Sequence, residues 1–168
     1  MRSLLSEDRF DFIVQKDKDF ILSFDEAIQT LGYSCGGEIG SGYCWGKYMI
    51  IYFKTGVKAK KVAARIYLRD QGIVLRLFFH QVDDHRDYIE NAPEFIKNVF
   101  MEGHGDCHRC ENKPDGVCGF RKAYTINDRR IEKCSGVVFE FWEPSLEKLP
   151  GYISLLEEFF PVRNRKSS

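Results

Sequence analysis

Residues 65–79 constrain the fold more than any other stretch of this chain. Around Gln71-Gly72, Ile66 and Leu68 on one arm and Ile73, Leu75, Leu77 and Phe79 on the other fall on alternate positions, the period of a strand and not of a helix. The pattern predicts a β-hairpin with one apolar face that must be covered. The opposite face then carries Arg65, Tyr67, Arg69, Arg76, Phe78 and His80. Residues 43–54, rich in aromatic and β-branched side chains at both parities, add a central strand. A second hairpin is predicted from residues 120–126 and 131–142 about an Asn127-Asp128 turn. That register would set Cys118 opposite Val137 and Cys134 opposite Arg121, on different faces, unless Cys118 precedes the strand or Ser135-Gly136 makes a bulge; the first is favoured.

Helical periodicity supplies the covering layer. Ser23-Phe24-Asp25-Glu26 fits a capping box, Ile28 and Leu31 continue an apolar stripe, and Gly32 stands where a C-terminal cap belongs, so a short helix is expected over residues 24–31. Residues 10–20 fit strand or helix. Tyr88, Ile89, Ala92, Phe95, Ile96, Val99 and Phe100 recur at helical spacing, giving one helix over residues 86–101 that is kinked or begun near Pro93. A closing helix starts near Pro150, with Tyr152, Ile153, Leu156, Phe159 and Phe160 on one side. The glycine-rich stretch 33–46 lacks the Gly-Lys-Ser/Thr of a phosphate-binding loop and reads as a flexible turn. The expected fold is α+β: an antiparallel sheet from two hairpins plus a central strand, helices packed on one face, and a four-cysteine metal knuckle as an insertion. With 168 residues, no internal repeat and no linker, the expectation is a single domain over residues 1–168 containing a cysteine-rich zinc-binding segment at 103–134.

The knuckle is Cys107-x2-Cys110-x7-Cys118-x15-Cys134. Two thiolates separated by two residues reach one ion from a tight turn, and four close a tetrahedral zinc shell, leaving no place for water. Such an ion is structural rather than catalytic. Gly103, Gly105, Pro114, Gly116 and Gly119 punctuate a segment with little apolar surface to bury, and a metal is the device that orders such a loop. An iron–sulfur cluster, or reactive redox or metal-handling thiols at Cys107 and Cys110, are the alternatives. His104 and His108 are substitute ligands, and Cys35 and Cys44 read as ordinary buried or loop thiols.

Two further features point to binding. In residues 137–142, alternation sets Val138, Glu140 and Trp142 on one face, so a carboxylate lies between a valine and a tryptophan on a strand. There its pKa rises or it takes a cationic partner. With Trp142, Trp45, Tyr48 and Tyr52 it would grip a small hydrophobic or cationic ligand by charge and ring faces; the alternative is a solvent-facing glutamate paired with a lysine or arginine of a neighbouring strand. The second feature is charge. The chain balances 25 basic against 25 acidic residues, yet residues 31–80 hold 8 basic and 2 acidic ones: Lys47, Lys54, Lys58, Lys60, Lys61, Arg65, Arg69 and Arg76 face Glu38 and Asp70. Arginine interleaved with aromatics along residues 54–76 can stack and hold bases, making nucleic acid the rival partner, while a partly solvated sheet face explains the same residues. Zero net charge argues against strong non-specific DNA binding.

No catalytic constellation emerges. Asp83, Asp84, His85 and Asp87 read as a polar, helix-capping connection, and the chain has no nucleophile motif, so a non-enzymatic domain is favoured. The first ten residues lack a signal-like apolar run and no stretch approaches the ~20 apolar residues of a membrane span, which makes a cytoplasmic protein without a membrane partner the expectation; oligomeric state is open.

The segment HGDCHRCENKPDGVCGFRKAYTINDRRIEKC followed by FEFWEP resembles small bacterial cytosolic proteins carrying a four-cysteine insertion. FEFWEP, with Glu140, is also similar to the strand bearing the ligand-binding glutamate in GyrI-like effector-binding domains. That second resemblance implies a sheet-lined cleft that cradles hydrophobic cations, with Glu140 as the ligand-binding carboxylate. The chain departs from the GyrI-like pattern in its cysteine segment and closing helix.

Overall fold

The computed structural model describes residues 1–59, 61–102, 121–133 and 137–161. The hairpin about Gln71-Gly72 forms as its alternation requires: β4 (Val62–Arg69) and β5 (Gly72–Phe78) run antiparallel with Arg69 facing Gly72 and Ile66 facing Leu75. Before it come α1 (Arg2–Leu5), α2 (Gln15–Thr30), β1 (Tyr33–Ser34), β2 (Gly40–Ser41) and β3 (Tyr48–Lys54); after it come α3 (Arg86–Asn91), α4 (Glu94–Met101), β6 (Lys122–Ile126), β7 (Arg129–Lys133), β8 (Val138–Trp142) and α5 (Leu149–Phe159). The molecule is thus α+β with an antiparallel sheet. It divides into two compact units, Met1–Phe78 with Glu140–Ser168, and Phe79–Phe139.

In the first unit the sheet runs in the order β1-β3-β4-β5-β8, and β2 also pairs with β3. Ile50, Tyr52, Ala64, Ile66, Leu68, Leu75 and Leu77 lie on one face, each fully buried. Burial of this kind stabilises by roughly 1.5–3 kcal/mol for each large side chain. The cover comes from α2 and α5: Phe24 meets Tyr52 edge-on at 5.4 Å, Tyr152 meets Phe141 at 5.0 Å, and Phe20 meets Tyr152 at 6.1 Å.

α2 begins at Gln15, eight residues before the expected cap at Ser23, with Val14 extended ahead of it. Phe20, Ile21, Phe24 and Ile28 form one buried stripe across Ser23, and that tertiary burial outweighs a local capping signal. Gly32 ends the helix with φ of 79°, as expected of a residue just past the last turn.

The second unit holds α3, α4, β6 and β7. The stripe predicted as one helix over 86–101 is two, because Ala92, next to Pro93, is extended at ψ 161°. β6 and β7 pair with Ile126 facing Arg129 and Lys122 facing Lys133, across a turn in which Asn127 and Asp128 both have positive φ. This hairpin is a separate two-stranded sheet, and the run 131–142, expected as one arm, is divided into β7 and β8, the latter in the main sheet. Ser135-Gly136, a poor strand sequence, stands between them. The unit's core stacks Phe100 on Phe139 at 4.1 Å, with Phe79 and Tyr124 against them. Fully buried Lys133 directs its ammonium at the Val99 carbonyl, 3.3 Å away, and over the Phe139 ring. Among the described residues no helix is long and apolar enough to cross a membrane.

Candidate functional site

The face of the first unit's sheet that α2 and α5 leave uncovered bears the site. Alternation places Met49 and Ile51 of β3, Arg65, Tyr67 and Arg69 of β4, Val74, Arg76 and Phe78 of β5, and Glu140 and Trp142 of β8 on this one surface. Register sets Arg65 directly opposite Arg76, and like charges so placed repel. Glu140 resolves half of that conflict by pairing with Arg76, whose side chain is 11% exposed against 15% for the glutamate. The expected carboxylate on a strand therefore has a cationic partner on the neighbouring strand.

Trp45 completes this arrangement. Its ring lies 3.7 Å from the Arg76 guanidinium, with Tyr67 on the same cation at 5.3 Å, so Arg76 is held by two rings and a carboxylate together. The Trp45 ring is delivered by a turn that only glycine permits: a Cβ on Gly42 would sit 2.3 Å from the Gly46 carbonyl oxygen, and one on Gly46 would sit 2.8 Å from that of Leu68. The Trp45 amide donates to the Gly42 carbonyl and the Lys47 amide to the Leu68 carbonyl, tying the turn to β4. The stretch expected to be a flexible turn is thus a hydrogen-bonded platform.

Arg65 and Arg69 are left over. The Arg65 guanidinium lies over Phe78 at 5.1 Å and donates weakly to the Tyr67 hydroxyl, and Arg69 lies over Trp142 at 4.9 Å. Among the described residues neither has a carboxylate partner, and the buried Nε–H groups of Arg65 and Arg76 have no acceptor. An unmet buried donor costs about 1–3 kcal/mol, so the surface is short of acceptors. Tyr43, Trp45 and Trp142 remain 82%, 45% and 53% exposed beside it. An open groove of about 610 Å³ runs along this end of the sheet, lined by Tyr43, Trp45, Lys47 and Arg69, with Lys47 paired to Asp70 at 2.5 Å.

No family model, curated protein or solved structure matches the chain. The site's meaning rests on its own chemistry.

Of the residues proposed for a ligand pocket, Glu140, Trp45 and Trp142 share this surface. Tyr48 and Tyr52 do not: Tyr48 meets Phe10 edge-on and stacks with Phe12, and Tyr52 is buried under α2. His80 falls beyond the end of β5. Cys35 is buried with its thiol pushed up, mainly by burial, and Cys44 is exposed. Asp83 accepts a hydrogen bond from the Thr125 amide at 2.8 Å, and Arg86 bridges Glu90 and Asp128, so the acidic connection anchors β6 and no side chain caps α3. Cys107, Cys110, Cys118 and Cys134, with His104 and His108, lie outside the described residues, as does Lys60. Among the described residues no group of three metal-ligating side chains occurs.

Proposed function

We propose that this chain is a non-enzymatic binding module whose arginine and aromatic sheet face holds single-stranded nucleic acid. The observation that carries the reading is the division of labour among the arginines. Arg76 is neutralised by Glu140 and serves to fix Trp45, while Arg65 and Arg69 keep their charge unpaired beside exposed rings. Exposed rings stack bases whatever their sequence, worth about 1–3 kcal/mol per base, and guanidinium groups take the phosphates. Two rings and two free cations support micromolar rather than nanomolar affinity, in keeping with a chain of zero net charge.

The rival, a hydrophobic cation gripped by Glu140 in the GyrI-like manner, would have to displace Arg76 from a partner it already holds. Fluorescence anisotropy with labelled oligouridylate and oligothymidylate tests the choice. Two phosphate contacts give a slope of log K against log salt of about −1.4, and Arg69→Gln should reduce it by about 0.7. Absence of binding to either oligomer at low salt would end the proposal.

Zinc enters the proposal through the spacing Cys107-x2-Cys110-x7-Cys118-x15-Cys134 alone. Elemental analysis of the purified protein should give one zinc per chain, lost in Cys107→Ser and Cys118→Ser variants; iron, or no metal, would replace this part of the reading.

A further inference from the structure

The basic block of the sequence is not one surface. Arg69 and Lys47 stand at one end of β4 by Trp45, while Lys54 and Lys61 stand at its other end, about 23 Å away along the strand. There the Lys54 amide donates to the Lys61 carbonyl at 2.9 Å, so two ammonium-bearing stems leave adjacent points of the backbone. Adjacent like charges destabilise, and among the described residues neither lysine has a carboxylate partner. Lys54 has a structural duty: its Nζ donates to the Leu31 carbonyl at the end of α2 at 3.1 Å and lies 4.6 Å from the Tyr33 ring centre. That duty uses one of three ammonium donors.

The two cations border a half-open cleft of about 530 Å³ whose other lining residues are Tyr33, Val57, Val62, Phe160 and Pro161. The volume falls in the range of small-molecule sites, about 300–1,000 Å³, and the lining matches their usual make-up of apolar walls with a few polar groups. Tyr33 and Phe160 pack at 5.8 Å, giving the floor an aromatic pair, while Val57 stays exposed at the rim. The geometry points to a second site, separate from the arginine face, that takes a small carboxylate with a flat apolar body: the carboxylate lies between Lys54 and Lys61 and the body against Tyr33 and Phe160.

The probe is 2-naphthoate, with neutral 2-naphthamide as its control, followed by saturation-transfer NMR and chemical-shift titration. The acid should bind at submillimolar concentration and the amide at least about fivefold more weakly, the size of one partly exposed charge interaction. Lys61→Gln, an exposed change, and Lys54→Met should each weaken the acid by about fivefold and leave the amide unchanged. Because Lys54 also caps α2, the Lys61 variant decides the matter if Lys54→Met unfolds. Arg65→Gln should leave naphthoate binding as it was. No binding, equal binding of acid and amide, or a loss that follows Arg65 instead of Lys61 would overturn the site, and none of these bears on oligonucleotide binding by the arginine face.

Discussion

Arg76 shows how much a single side chain can organise: it takes a carboxylate from one neighbouring strand and a ring from a distant turn, and so converts a repulsive Arg65–Arg76 pair into a platform. Its identity was legible as part of an arginine and aromatic face; its partners were not, because nothing in residues 65–79 says that Trp45 or Glu140 will come alongside. The other telling residue is Asp17, buried in the first turn of α2. Burial, followed by the charge of Glu143, holds its carboxyl above the ordinary 3.8 despite the opposing pull of Lys16. A carboxyl raised in the folded state contributes most while it carries its proton, and that contribution is lost as pH climbs through the folded value. Asp17→Asn should therefore be more stable than the wild type at pH 7, with the gap in melting temperature closing as pH falls below 3.8. A gap that widened on acidification would reverse the sign assigned to Asp17.

Among the elements, the turn ahead of β3 carries the most function per residue. Gly42 and Gly46 approach backbone so closely that no other residue fits, and this geometry aims Trp45 at Arg76. Gly42→Ala should open the turn, raise Trp45 exposure to a soluble quencher and weaken oligonucleotide binding by about tenfold, the worth of one stacked base, while the remainder of the sheet keeps its far-ultraviolet signature. Unchanged quenching would mean that the turn does not hold Trp45. Five glycines in fourteen positions announced a turn; that it is tied closely to β4 follows from backbone contacts with Leu68, which alternation cannot reveal. Strand faces were the legible part, since period-two patterns set them locally. The start of α2 was hidden because a local capping box competed with a longer buried stripe, and the break between β7 and β8 was hidden because β7, RRIEK with Ile131 as its single apolar residue, has no pattern of its own to set it apart from the alternating β8.

For the molecule as a whole, the decisive event is non-local. β8 joins the sheet beside β5 after some sixty intervening residues, and this pairing alone turns two separate sequence features, a glutamate between apolar neighbours and an arginine-rich strand, into one site. Read singly, the first suggested a pocket for cations and the second a track for phosphates; joined, they cancel one charge pair and leave Arg65 and Arg69 to act. The β3–β4 register, for its part, separates Tyr48 and Tyr52 from Trp45, since it presents them to the other face with Leu68 and Ala64. The direct test of the binding face is the pair of indole N–H signals in a nitrogen-edited NMR spectrum, because Trp45 and Trp142 are the chain's two tryptophans. Titration with oligouridylate at low salt should move both signals, and Arg65→Gln with Arg69→Gln should suppress the movement. Two indole signals that stay in place while the oligonucleotide binds, or that move equally in the double variant, would contradict a nucleic-acid face on this sheet.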